Sequence, residues 1–97
     1  MARPAPPAAD PPKLPPDARI AIAAARFNSQ FVDRLIDGCT RRLIELGITQ
    51  DRFEVHRVPG AFELPLAAQW LAETEKFSAI ICLGVVIRGD TPHFDFV

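Results

Sequence analysis

The sequence predicts a small α/β domain built on a parallel sheet. Two short and almost continuous apolar runs, residues 20–25 and 78–87, are typical of strands buried on both faces. A more polar strand pattern at residues 52–58 lies between them, and a helical pattern separates each strand from the next. Because strand and helix alternate along the chain, we expect right-handed crossovers and a sheet with helices on both faces.

The first strand, residues 20–25, leads into an amphipathic helix. Asn28 or Ser29 can cap the beginning of this helix, and Gly47 ends it. Its apolar positions follow one stripe at helical spacing: Phe31, Val32, Leu35, Ile36, Cys39, Leu43 and Leu46. The opposite face, predicted to be solvated and without function, consists of Asp33, Arg34, Asp37, Arg41, Arg42 and Glu45.

The second strand, residues 52–58, carries enough charge to favour a position at the edge of the sheet. Pro59-Gly60 ends it, and a second helix is predicted over residues 62–74, with Pro65 tolerated in the first turn. The inner stripe of this helix is predicted to contain Leu64, Ala67, Ala68 and Leu71, with Trp70 at its margin.

The third strand is predicted over residues 78–87, and Thr91-Pro92 then indicates the beginning of a third helix. At the other end of the chain, residues 1–17 contain seven of the ten prolines. Proline removes amide donors and restricts its neighbours, so we predict an extended, solvated arm there and a domain over residues 18–97.

Composition excludes several classes of protein. A net charge of −1 and a pI of about 6.1 give no basic surface for nucleic acid. No apolar run is long enough for a membrane span, and no secretory signal is readable. Cys39 and Cys82 both lie in apolar patterns, which predicts reduced core thiols in a cytoplasmic protein.

Ligands of parallel α/β sheets bind beyond the carboxyl ends of the strands, so the three strand exits are the candidate sites. Phe27 follows the first strand, where an exposed ring could stack on a flat heterocycle; the alternative is a core aromatic. Glu63 begins the second helix, where its carboxylate can stabilise the helix dipole or accept hydrogen bonds from ligand hydroxyls.

The third exit contains a candidate phosphate site. Gly89-Asp90-Thr91 leads into a predicted helix, so backbone amides and the Thr91 hydroxyl could bind an anion; the alternative is a glycine turn with a helix cap. His93 lies close by and could transfer protons near neutral pH, unless its role is structural. Neither metal-ligand spacing nor a Walker A or GxGxxG motif is present, so we predict no metal and no cofactor bound by those motifs.

Three motifs together resemble the 6,7-dimethyl-8-ribityllumazine synthase family over residues 18–97. They are Arg26-Phe27-Asn28, Val-Pro-Gly-Ala-Phe-Glu-Leu-Pro at 58–65, and Leu-Gly-Val-Val-Ile-Arg-Gly-Asp-Thr-Pro-His-Phe-Asp at 83–95. The resemblance implies a flavodoxin-like fold. It also implies a cofactor-free condensation of 5-amino-6-(D-ribitylamino)uracil with 3,4-dihydroxy-2-butanone 4-phosphate, in riboflavin biosynthesis.

The resemblance also implies roles for individual residues. The ring of Phe27 would stack on the pyrimidine, and His93 would be the catalytic proton-transfer residue. The ribityl chain would be held by Ala61, Phe62 and Glu63, the pyrimidinedione edge by the backbone of Val85, Val86 and Ile87, and the phosphate by the amides of Asp90 and Thr91.

Members of this family continue well beyond the position of Val97, so we expect this chain alone to be unstable or inactive and a complementary chain to carry the remainder. The resemblance further implies a homo-oligomer, either a pentamer or an icosahedral shell of pentamers, with riboflavin synthase as a partner. Two alternatives remain open: a self-assembling cage or scaffold component, and a non-catalytic binder of flavin-like ligands.

Overall fold

The structure is a computed structural model and describes residues 14–89. It consists of β1 (Ile20–Ala25), α1 (Ser29–Glu45), β2 (Phe53–Val58), α2 (Leu64–Glu73) and β3 (Ala79–Leu83). The strands form one parallel sheet in the order β2-β1-β3. With right-handed crossovers, this order places α1 and α2 on opposite faces. The predicted α/β fold with a parallel sheet is confirmed.

The central strand β1 is buried along its whole length, as its apolar run predicts. Ile20 and Ile22 pack with Leu43 of α1 and with Ile48 in one buried cluster. Side chains alternate between the faces of a strand, so Ala21, Ala23 and Ala25 turn to the other face. Their small size lets α2 lie close to the sheet there.

The two flanking strands differ from their predictions in different ways. β2 lies at a sheet edge, as its charge predicts. β3 was expected over residues 78–87 but ends at Leu83, and residues 84–89 form no regular secondary structure. The physical reason lies in the register: the β1–β3 ladder reaches its last pair at Ala24 and Leu83, immediately before β1 itself ends.

The helices confirm most of the predicted pattern. In α1, Val32 and Leu43 are buried, whereas Phe31 and Leu35 keep about two-fifths of their surface exposed, so the apolar stripe is wider than the contact with the sheet. α1 ends at Glu45 and the chain turns at Gly47 with φ +96°, a left-handed conformation that favours glycine. The second helix starts two residues later than predicted.

α2 begins at Leu64 rather than Phe62, because Ala61–Glu63 form a short 3-10 turn before it. Pro65 occupies the first turn as predicted, and Leu64 is the buried residue of the helix. Trp70, predicted at the margin of the inner stripe, is 62% exposed.

Both cysteines are free thiols, but the prediction that both belong to the core is wrong for Cys82, which is exposed on β3. Cys39 is half-buried, and burial raises the pKa of its thiol, which favours the protonated form. Within residues 14–89 no three side chains are grouped as metal ligands, and no helix could cross a membrane.

Two predictions concern segments at the ends of the chain. Most of the predicted proline-rich arm lies outside the described residues, although Leu14 packs against the core cluster. The third helix predicted from Thr91 also lies outside them.

Candidate functional site

The strand order indicates one position in the sheet at which a ligand would bind. The chain leaves β1 through α1 towards β2, whereas β3 lies on the other side of β1. Connections that depart in opposite directions leave a gap at the carboxyl ends of two neighbouring strands, and ligands of such folds bind there. For the strand order β2-β1-β3, the rule places this gap beyond β1 and β3.

The first and second strand exits are joined by backbone hydrogen bonds. The N–H of Arg26 donates to the carbonyl of Val58 at 2.7 Å, and the N–H of Phe27 donates to the carbonyl of Pro59 at 3.0 Å. These bonds extend the contact between β1 and β2 beyond the last ladder pair, Ala25 and Val58. The backbone that carries Phe27 is therefore fixed against the turn that leads to Glu63.

The first and third exits are joined by a side chain. Asn28 has φ 62° and ψ 42°, a left-handed conformation that asparagine tolerates better than most residues. Its Nδ2 donates to the carbonyl oxygen of Val85 at 3.2 Å. Asn28 occupies the N-cap position of α1, as predicted, but within the described residues its side chain makes no capping bond to the helix. The amide is turned across the gap instead.

The second and third exits pack closely together. A Cβ added to Gly84 would lie 3.2 Å from Cβ of Ala61 and 3.0 Å from Cδ1 of Leu64. Only a residue without a side chain fits there without displacing its neighbours. Gly84 therefore brings the backbone after β3 against the 3-10 turn that precedes α2.

The 3-10 turn fixes the carboxylate of Glu63. The N–H of Gly60 donates to Oε2 of Glu63 at 3.0 Å, and the N–H of Glu63 donates to the carbonyl of Gly60 at 3.2 Å. This reciprocal arrangement resembles a capping box without a capping hydroxyl. It orients the exposed carboxylate at the second strand exit.

Several apolar side chains at these exits are exposed. Phe27 is 68% and Phe62 is 71% exposed, and about half of the surface of Val86 and of Ile87 is exposed. Phe27 is therefore not a core aromatic. Large exposed apolar groups at neighbouring strand exits indicate a surface that contacts a ligand or a partner.

The structure brings together the segments that carry Phe27, Ala61, Phe62, Glu63 and Val85. It places Val86 and Ile87 in the irregular segment that continues from Val85. The remaining predicted site residues, Asp90, Thr91 and His93, lie outside the described residues.

One interaction at the site was missed by the sequence analysis. Arg57 of β2 donates to Oδ1 of Asp33 and to the carbonyl oxygen of Ala25, both at 3.0 Å. Asp33 lies on the face predicted to be solvated, and its side chain is 62% exposed, but the prediction did not include the bond to Arg57. Helical spacing identifies the face on which Asp33 lies, but it contains no information about a partner 24 residues away.

The fold and the convergence of its three strand exits define a flavodoxin-like α/β domain, the class in which ligands bind at the strand ends. Comparison with known proteins identifies the family. The family model of 6,7-dimethyl-8-ribityllumazine synthase matches residues 17–97, and the chain belongs to that family.

Curated relatives agree with this assignment. The 6,7-dimethyl-8-ribityllumazine synthase of Desulfotalea psychrophila is 53% identical over 79 residues, which cover 81% of this chain and 51% of the relative. That of Halorhodospira halophila is 52% identical over 81 residues, or 84% of this chain and 52% of the relative. The chain thus spans about half the length of the curated relatives it matches.

Proposed function

We propose that this chain acts in the synthesis of 6,7-dimethyl-8-ribityllumazine, a step of riboflavin biosynthesis. The substrates are 5-amino-6-(D-ribitylamino)uracil and 3,4-dihydroxy-2-butanone 4-phosphate, which condense with loss of phosphate and water. The observation that carries the proposal is the mutual contact of the three strand exits, through Phe27 to Pro59, Asn28 to Val85 and Gly84 against Ala61. Family membership supplies the chemistry.

The pyrimidine substrate would bind at the first and third exits. The exposed ring of Phe27 provides a flat apolar face on which a pyrimidine can stack. The segment of Val85, Val86 and Ile87 continues past the last ladder pair, so its backbone groups can donate to and accept from the pyrimidinedione edge. Stacking and edge recognition together would fix the plane and the rotation of the ring.

The ribityl chain would be held by the turn Ala61, Phe62 and Glu63. The Gly60 amide orients the Glu63 carboxylate, which can accept hydrogen bonds from ribityl hydroxyls. Because both charge and geometry are set before the ligand binds, little conformational freedom is lost on binding.

The phosphorylated substrate would bind beyond residue 89. We assign the phosphate to the amides of Asp90 and Thr91, and proton transfer to His93, because imidazole is the side chain best suited to proton transfer near neutral pH. Imine formation, phosphate elimination and ring closure need oriented reactants and proton transfer, and orientation alone can account for a large part of such a rate enhancement. The proposal therefore includes no cofactor.

We assign the chain to a homo-oligomer, a pentamer or a shell of pentamers, and to the cytoplasm, with riboflavin synthase as a partner. Exposed Leu66 and Trp70 on α2 support burial against another subunit, and the two free cysteines support a reducing compartment. Light scattering of the purified protein would distinguish a pentamer from a shell.

The activity is tested by incubating the protein, expressed at the full length its gene encodes, with both substrates. We expect lumazine and inorganic phosphate to appear in equal amounts, measured by chromatography and by a phosphate assay. Absence of both products from a folded preparation would contradict the proposal.

A second candidate is a non-catalytic binder of flavin-like ligands, which the exposed ring of Phe27 favours. His93→Ala separates the two: an enzyme should lose most of its kcat and keep its affinity for the pyrimidine. A binder would have no kcat to lose.

A further inference from the structure

Arg57 connects three elements at the end of β1. Its Nη2 donates to the carbonyl oxygen of Ala25, the last residue of β1, at 3.0 Å. Its Nη1 donates to Oδ1 of Asp33, in the second turn of α1, also at 3.0 Å. One side chain of β2 thus holds the end of one strand and the beginning of the following helix in a fixed relation.

These contacts need an arginine. The guanidinium is planar and presents several N–H donors in fixed directions, whereas a lysine ammonium is a single flexible point charge. The Arg57 side chain is only 26% exposed, against 62% for Asp33, so the two bonds lie at the margin of the core. Its buried Nε has no hydrogen-bond partner among the described residues. The position of Arg57 is therefore determined by its two terminal nitrogens.

The carbonyl of Ala25 lies where β1 is still paired with β2 but no longer with β3. The β1–β3 ladder ends at the pair of Ala24 and Leu83. Arg57 donates to the backbone one residue further on, and Pro59 accepts from the N–H of Phe27. Residues 25–27 are thus held at both ends by residues 57–59.

The side chain of Phe27 contributes little to its own placement, because 68% of it is exposed. The direction of the ring must be set by the backbone that carries it. We propose that Arg57 is a positioning residue, which pre-orients Phe27 for stacking on the pyrimidine substrate. This inference rests on the proposed function for the identity of the ligand, but its structural part does not need a ligand.

The first test measures local order without ligand. In Arg57→Ala, expressed at the full length of its gene, we expect the amides of Arg26 and Phe27 to exchange with deuterium about tenfold faster, and the buried amide of Ile22 to remain unchanged. A merely structural role predicts equal acceleration at all three amides. That result, or unchanged exchange at Phe27, would overturn the inference.

The second test is a double-mutant cycle on ligand affinity. The probe is the unreactive pyrimidine analogue 5-nitro-6-(D-ribitylamino)uracil. We expect Arg57→Ala to weaken its binding about tenfold, but less than about twofold in a Phe27→Ala background, because the two residues act through one ring. If Arg57→Ala weakened analogue binding by the same factor with Phe27 present and with Phe27→Ala, the inference would be overturned. If the unsubstituted protein fails to bind the analogue, the proposed function is contradicted and the exchange experiment alone decides the role of Arg57.

Two further variants guard against misfolding of Arg57→Ala. Arg57→Lys keeps the charge but cannot make both bonds, and we expect a weakening of about threefold. Asp33→Asn changes an exposed carboxylate but leaves the bond from Arg57 to Ala25. We expect it to weaken analogue binding less than Arg57→Lys does. Arg42→Ala is the matched control, because it removes an exposed arginine paired with Glu45 at 2.9 Å within α1. Its exchange and affinity should equal those of the unsubstituted protein; a control that behaves like Arg57→Ala would overturn the inference.

Discussion

The side-chain amide of Asn28 donates to the carbonyl oxygen of Val85 across the gap between β1 and β3. The bond joins two loops that are 57 residues apart in sequence. It depends on the left-handed backbone of Asn28, which turns the side chain away from the helix that follows. Local conformation at one residue therefore determines how the two sides of the proposed site are spaced.

Substitution of Asn28 separates conformation from hydrogen bonding. Asn28→Ala loses the bond and strains a residue at φ 62°, and we expect it to lower the free energy of unfolding by about 1–2 kcal/mol. Asn28→Gly loses the bond only, so its loss of stability should be smaller. Denaturant unfolding measures both. Greater destabilisation by glycine than by alanine would contradict the role given to the left-handed backbone.

Phe27→Leu should reduce substrate affinity without affecting the fold. The ring is exposed, so its removal leaves no cavity, and stability should change by less than about 0.5 kcal/mol. Stacking of a base on an aromatic ring contributes about 1–3 kcal/mol, so KM for the pyrimidine substrate should rise about tenfold or more.

Phe27→Trp is the matched variant, because it keeps an aromatic face at the same position. We expect its KM to remain within about threefold of the unsubstituted value. If leucine and tryptophan give the same KM, Phe27 does not act by stacking.

Gly84→Ala should displace the turn that carries Glu63. The new methyl group would lie 3.2 Å from Cβ of Ala61, which cannot move without its backbone, and 3.0 Å from Cδ1 of buried Leu64. Overpacking of this kind costs about 1–3 kcal/mol, measurable by denaturant unfolding. Gly89→Ala is the control, since no atom of residues 14–89 lies within 4 Å of a Cβ there, and its stability should not change.

The bond between Thr49 and Asp51 makes stability depend on pH. The Thr49 hydroxyl donates to the Asp51 carboxylate and lowers the pKa of that group. A lowered pKa in the folded state gives a contribution that is present at neutral pH and is lost as the pH falls through the folded pKa. We expect the unsubstituted protein to exceed Asp51→Asn in stability at neutral pH, and this difference to vanish on acidification.

Thr49→Val removes the hydroxyl donor and serves as the control for that experiment. When Thr49→Val is already present, Asp51→Asn should lower the stability less at neutral pH than it does in the unsubstituted protein. If Asp51→Asn lowered the stability equally with and without Thr49→Val, the Thr49 hydroxyl would not be the cause of the lowered pKa of Asp51.

Patterns of local periodicity were sufficient to predict the fold. The continuous apolar run of β1 predicts a central strand because a strand covered on both faces needs apolar residues at every position. The charge of β2 correctly indicates an edge. The end of β3 could not be predicted, because it depends on where its neighbour β1 ends and not on its own composition.

The site was predictable as a location but not as a set of interactions. The rule that strand ends converge identified the segments of Phe27 and Glu63. The contact of Arg57 with Asp33 and the turn of Asn28 towards Val85 have no sequence signal, because they join residues distant in the chain. Such interactions become visible only when the three exits are placed side by side.

Glu63→Gln tests whether the carboxylate of the second exit recognises the ribityl chain. Glutamine keeps the size of the side chain and an oxygen that can accept from the Gly60 N–H, so stability should change by less than about 0.5 kcal/mol. Loss of the charge should weaken hydrogen bonds to ligand hydroxyls, which predicts a KM for the pyrimidine substrate raised about tenfold. Glu73→Gln, in the last turn of α2, is the matched control and should leave KM unchanged. The decisive comparison uses a pyrimidine that lacks the ribityl hydroxyls: Glu63→Gln should bind it as well as the unsubstituted protein does, and a loss of affinity for that compound would contradict the assignment.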